Sequence, residues 1–321
     1  MKVYYHLFPP FRWFRSLLLL LQKVRVHENA YILGRAYQLQ IGAGTKIGSQ
    51  VHINPGKQGR IEIDNNVWIS TSVEMETNTL LQIREKTTIQ RRSTINGTTR
   101  IGRSCILAPN VFISSGTHPF REFAHLPIRE QEKRMQSTDP LNNALDRPIW
   151  VQDDCWLGTN AVICPGVTIG KGSIVGANSV VTHDITPYSV VAGCPARKIG
   201  ERLHWEPLTC IDPANEHHWP YLIDAKIAQS SNTHLCTIFL TTIDPLTFVL
   251  KLSTEAHVIV LGLRQKGPAT INVDGKLRDI LPEQTTLKIP IKDIKKKGTE
   301  IWCSLSLVRG QSVEISKIEL K

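Results

Sequence analysis

An aliphatic residue returns every six positions through the middle of the chain. Val151, Leu157, Ile163, Ile169, Val175 and Val181 follow one another without a miss, as do Ile83, Ile89, Ile95, Ile101, Leu107 and Ile113. Shorter runs are Ile41, Ile47, Ile53 and Ile63, Ile69, Met75. Four positions after each stands a small or β-branched residue, such as Thr87, Ser93, Thr99, Cys105 or Val111. Lys57, beside a short insertion at 56–60, breaks the pattern. A period of six matches neither an α-helix, at about 3.6 residues per turn, nor a simple strand, at about 2. It suits a coil in which each hexad forms one short strand and then turns. Three hexads close a triangle with the aliphatic residues inside, and each coil stacks only on its neighbours. Eighteen hexads between residues 41 and 185 predict about six coils, in a domain placed at 31–204. Glycines at the turns (Gly42, Gly48, Gly102, Gly158, Gly170, Gly176) are expected to give the backbone freedom that tight corners require. Cys105 and Cys155 read as small inward hydrophobes.

The pattern changes at both ends. Phe11, Phe14, Leu18 and Leu21 recur at spacings of three and four, predicting a short amphipathic helix within residues 1–30. Its leucine run at 17–21 is far short of the ~20 residues that a membrane span needs, and no small-residue cleavage site follows it. Two readings stand: a cap on the domain that follows, or a peripheral contact with an anionic membrane surface through residues 11–25. From about residue 210 the apolar residues alternate, in runs at 235–240, 247–252, 258–263, 270–273, 287–291, 301–307 and 313–320. Turn-prone pairs such as Asp274-Gly275 and Gly267-Pro268 separate them, and an antiparallel β-sandwich over 205–321 is predicted. The expected fold class is all-β.

Composition narrows the partners. With 321 residues, 41% apolar and 21% charged, the chain has room for two domains and is not a disordered one. Its seven cysteines are scattered without a CxxC pair, which fits the reducing cytoplasm better than a disulfide scaffold or a zinc cage, so no metal is expected. The net charge of +10 is densest at the start, where five basic residues in 1–30 face Glu28 alone. Residues 205–321 are nearly neutral, with 14 basic against 13 acidic groups. Nucleic acid has no motif behind it beyond charge.

The repeat stops directly after His118 and resumes at Val151. The interruption, loop 119–148, is rich in charge, and long excursions from a rigid scaffold commonly carry binding contacts. A neutral imidazole at its base has the right character to take a proton from a hydroxyl near pH 7.

The hexad pattern, the segment DRPIWVQDDCWLGTNAVICPGVTIGKGSIVGANSVVTHDITPYSVVAGCPARKI at 146–199, and ISSGTHP at 113–119 resemble the left-handed β-helix, hexapeptide-repeat acyltransferases. Within them the similarity is to the galactoside, maltose and polysaccharide O-acetyltransferases, and it spans residues 31–204. This resemblance implies a homotrimer that moves acetyl from acetyl-CoA to an acceptor hydroxyl, at sites between adjacent subunits. It implies His118 as general base and Trp156 as an aromatic lining the acceptor side. Thr159, Ala177 and Thr182 would line the pantetheine arm, and Arg197 and Lys198 would meet the nucleotide phosphates. Relatives often have Thr-Lys where this chain has Thr182-His183, which puts one phosphate contact in doubt. An orienting carboxylate has no clean counterpart, and Asp146 is the nearest candidate. Asn96, in the coil before His118, or backbone amides would donate to the thioester oxygen. The acceptor implied is a sugar hydroxyl of a capsule or O-antigen polysaccharide or its precursor, which makes a carbohydrate the partner. The alternatives are N-acetylation of an amino sugar and an inactive glycan-binding scaffold. A zinc hydratase on the same coil would need three converging histidines, which the repeat does not supply.

Overall fold

The computed structural model describes residues 23–138, 145–223, 227–229, 236–240, 246–251, 258–265, 269–281, 284–297, 300–309 and 313–321. The expected helix at Phe11 to Leu21 lies outside these residues. The described chain forms two compact units that divide between His204 and Trp205.

The first unit is a left-handed parallel β-helix with three faces. Face 1 stacks eight parallel strands, from Arg25–Val26 through Trp156–Leu157 to Ser189–Ala192, and ends in an antiparallel ninth, Arg197–Glu201. Face 2 has seven strands, from Tyr31–Ile32 to Val180–Val181, and face 3 has six, from Leu39–Ile41 to Thr168–Ile169. The coils therefore number about seven, one more than the hexad count. The extra coil begins at Arg25–Val26, inside the segment 1–30 read as helical. Its Val26 and Ile32 are six apart, but a short 3-10 turn at Ala36–Gln38 then delays the next inward residue and hides the rhythm.

The inward aliphatic residues from Ile47 to Val181 are buried, whereas Val26 and Ile41 in the first coil are partly buried, and full burial of one such side chain contributes about 1.5–3 kcal/mol. The small position is buried as well, and its polar atoms are paired. Thr87 Oγ1 donates to the Gly102 carbonyl at 2.7 Å and accepts the Cys105 amide at 3.0 Å. Cys105 and Cys155 occupy the equivalent place, their thiols 3.1 and 3.2 Å from the carbonyls of Gln152 and Gly170. Burial pushes the Cys105 thiol well above its ordinary value, so it serves packing and not nucleophilic chemistry.

The turn glycines act differently from the expectation. A Cβ on Gly158 would lie 2.6 Å from the Ala177 nitrogen, and one on Gly170 would lie 2.4 Å from the Pro187 nitrogen. These positions need glycine because the next coil's backbone approaches closely. The left-handed conformation falls instead on residues such as Lys86 (φ 60°), Asn110 (61°), Asn160 (59°) and Asn178 (58°). Asparagine tolerates it, and here its side chains form a ladder at the corner between faces 1 and 2. Asn110 Nδ2 donates to Asn160 Oδ1, and Asn160 Nδ2 to Asn178 Oδ1, each at 2.9 Å.

The corner between faces 2 and 3 absorbs the extra residues. Excursions at 33–38, 55–59, 77–79 and 115–148 all leave from it, whereas the strands before and after stay in register. This accounts for Lys57 and places the long loop. Within that loop, Ile128–Thr138 forms the helix α1.

The second unit holds two antiparallel sheets around one core that includes Phe248, Leu261, Ile301 and Ile315. All seven alternating runs lie within or overlap its strands. Asp274 and Gly275, both at positive φ, make the two-residue turn between Ala269–Val273 and Lys276–Ile280. Short strands such as Cys210–Ile211, Leu222–Ile223 and Lys295–Lys297 gave no alternating signal.

Candidate active site

The end of face 2 sets the position of His118. The strand Phe112–Ser114 pairs in parallel with Thr94–Asn96, so Asn96 lies beside Ser114 one coil earlier. The chain then leaves the corner, and its outgoing and returning stems zip together. Gly116 bridges Asp146, the Thr117 amide donates to the Leu145 carbonyl at 3.1 Å, and the Arg147 amide donates to the Ser115 carbonyl at 2.9 Å. His118 follows this two-stranded stem, with its side chain 73% exposed.

Asp146 ties the stem to the solenoid. Its carboxylate accepts the hydroxyls of Ser115 and Thr98. Thr98 continues to Thr79 and Thr77, so a chain of hydroxyls crosses successive coils. The carboxylate facing His118 is a different one, Glu132 of α1, whose Oε1 lies 3.6 Å from His118 Nδ1. Sequence reasoning missed Glu132, because one acid among Arg129, Glu130, Lys133 and Arg134 carries no mark of its own. The main-chain carbonyl of Asn96 accepts the Ser115 amide at 3.2 Å, which ties its coil to the stem.

Trp156 projects outward from face 1, about half exposed, in register with Ile106 and Ile174. Thr159 and Ala177 stand in consecutive coils at the corner between faces 1 and 2, where the Thr159 carbonyl accepts the Asn178 amide at 2.8 Å. Thr182 follows the last strand of face 2, Val180–Val181, its hydroxyl 2.8 Å from His183 Nδ1. Beside it a cavity of about 390 Å³ is lined by His183, Asp184, Thr186, Ser189, Arg197 and Lys198. Lys198 already pairs with Glu201 at 2.5 Å and, with His204 adding, holds that carboxyl below its ordinary value. An anionic ligand at this cavity would compete with Glu201 for Lys198, while Arg197 and His183 supply further cationic or donor groups. His183 thus joins the basic pair at the cavity, although the sequence marked it only as a departure from relatives.

Within one chain these groups fall in three places. His118, Asp146 and Asn96 gather at the corner between faces 2 and 3, and Thr182, Arg197 and Lys198 at the terminal coil. Trp156, Thr159 and Ala177 stand on face 1 and at the corner that follows it. Among the described residues no three metal-ligating side chains converge.

A model for six bacterial transferase hexapeptide repeats matches residues 148–183. Galactoside O-acetyltransferase of Escherichia coli (strain K12) is 31% identical over 170 residues, covering 52% of this chain and 71% of that protein. The chain therefore belongs to the hexapeptide-repeat acetyltransferase family. A Schizosaccharomyces pombe relative described as an acetyltransferase is 36% identical over 99 residues, which are 31% of this chain and 41% of its own length. The chain thus spans less than half of that relative. The solved structure of the polysialic acid O-acetyltransferase OatWY aligns at 22% identity and a TM-score of 0.33, covering 57% of this chain and 86% of the other.

Proposed function

We infer that this protein is an acetyl-CoA-dependent O-acetyltransferase acting on a sugar hydroxyl of a cell-surface polysaccharide or its precursor. The observation that carries the reading is His118. It is exposed at the base of a stem-zipped loop, with a carboxylate at its Nδ1, in a chain of this family. In the reaction, His118 Nε2 takes the acceptor hydroxyl proton as the oxygen attacks the thioester carbonyl. The C–S bond then breaks, and the imidazolium returns the proton to the departing thiolate. No covalent enzyme intermediate is needed when both substrates are held side by side.

Arg197, His183 and Lys198 suit the phosphates of the donor, and Thr182 adjoins them. Trp156 offers an apolar face on which a sugar ring or the pantetheine arm can lie. The separation of these groups within one chain supports a homotrimer, in which the corner carrying Thr159 and Ala177 of one copy would face His118 of the next. The outward apolar row of Ile106, Trp156 and Ile174 suits burial between copies. No helix among the described residues is long and apolar enough to cross a membrane. The reading places catalysis in the cytoplasm, with a peripheral contact at the inner membrane face through residues 11–25 as one of the two roles open to that segment.

The test is acetyl transfer from radiolabelled acetyl-CoA to capsule or O-antigen polysaccharide, followed by mild alkali. Ester label is lost and amide label survives, so alkali-stable product would redirect the assignment to an amino sugar. His118→Ala is expected to cut transfer by about 10²–10⁴-fold without changing the melting temperature. Unchanged turnover by the folded variant removes His118 from the mechanism.

A further inference from the structure

We propose that Glu132, carried on the loop helix, is the positioning residue for His118, so that the catalytic base is complete only while α1 is docked. This inference rests on the acetyltransferase reading for its role and on geometry for its residue. Glu132 Oε1 stands 3.6 Å from His118 Nδ1, and the Glu132 side chain is 30% exposed against 73% for the histidine. A carboxylate at this nitrogen selects the tautomer with the proton on Nδ1 and leaves the Nε2 lone pair facing outward. It also favours the imidazolium that forms when the acceptor proton arrives. The gap is longer than a hydrogen bond, and catalytic pairs commonly tighten on substrate binding. A shift of less than 1 Å closes it.

The helix is held well enough to act this way. Gln131, 2% exposed, donates from Nε2 to the Leu126 carbonyl at 2.8 Å and accepts the Phe123 amide at 3.3 Å. The Arg134 guanidinium sits 4.5 Å from the Phe123 ring centre. Both contacts brace α1 against residues 123–126 of the same excursion, while the stem bonds of Asp146 fix its base. Lys133, the next residue along the helix, pairs with Glu130 at 2.9 Å. The solenoid supplies the base and the excursion supplies the group that orients it. Loop placement and base activation are therefore one event.

The experiment compares full-length wild type, Glu132→Gln, Glu132→Asp and, as a control on the same helix, Glu130→Gln. In ¹⁵N-histidine-labelled protein at pH 7.5, His118 is identified by the signals that His118→Ala loses. Its nitrogen shifts are expected to report the Nδ1–H tautomer in wild type and in Glu130→Gln, with a move toward Nε2–H in Glu132→Gln. Kinetics use acetyl-CoA and p-nitrophenyl β-galactoside as probe acceptor. For Glu132→Gln, kcat is expected to fall roughly tenfold to a hundredfold while KM for acetyl-CoA stays within about twofold, with partial recovery in Glu132→Asp. An unchanged tautomer in Glu132→Gln, or a loss shared equally by Glu130→Gln, overturns the proposal. Wild type that transfers nothing to any acceptor sinks the acetyltransferase reading instead, and the nitrogen shifts judge the His118–Glu132 pair in either case.

Discussion

A methyl group on Gly158 would meet the Ala177 nitrogen at 2.6 Å, inside any real carbon contact, and backbone cannot swing aside as a side chain does. Gly158→Ala is therefore expected to destabilise the protein by about 1–3 kcal/mol, the usual cost of overpacking, read as a lowered denaturation midpoint. Lys86 has the opposite problem, a left-handed φ of 60° with a side chain attached. Lys86→Gly removes that strain but raises unfolded-chain entropy, so its midpoint should stay within about 1 kcal/mol of wild type. If the two glycine effects were reversed, corner flexibility and not coil approach would govern the turns. The sequence makes both positions look alike as turn residues, because composition marks where a corner falls and not which physical demand applies there.

Among elements, the loop stem gives Asp146 a duty that the sequence could not separate from substrate contact. With hydroxyls from Ser115 and Thr98 on its two oxygens, Asp146 fastens the stem that ends in His118. Asp146→Ala removes the acceptor of both hydroxyls, although Thr98 keeps its contact with Thr79, and should cost about 1–3 kcal/mol, with faster proteolysis inside 119–138. A variant with an unchanged melt but a raised acceptor KM would instead make Asp146 a substrate ligand. His118 was legible because the repeat breaks directly after it, a discontinuity that only the regular coil makes visible. Glu132 was not, since its distance from His118 depends on how the loop folds back, and no periodicity reports that. The strands of the sandwich were legible where apolar residues alternate. Two-residue strands such as Cys210–Ile211 are too short to show alternation at all.

For the whole molecule, the described cores are separate: no residue of the prism interior appears in the core built around Phe248 and Ile315. Residues 205–321 expressed alone are thus expected to fold, with a β-type circular dichroism spectrum and a single cooperative melt. A fragment without a melting transition would show that its core needs the rest of the chain. The prism itself gains stability coil by coil, since each contacts only its neighbours. The sequence displayed that additive logic directly as a period of six, and it undercounted by one coil where a short turn interrupted the rhythm.

The corner between faces 2 and 3 works like a socket in a rack. Excursions of different length leave it in different coils, and each returns to the same register on face 3. The longest carries the histidine, the helix and the stem, and its ends are bound chiefly to each other and to one hydroxyl chain. Exchange of 119–144 for another insert of the same stem would leave the rack intact. Under the proposed function, acceptor choice could then be re-cut, with Glu132 retained, without touching the coils proposed to hold the donor.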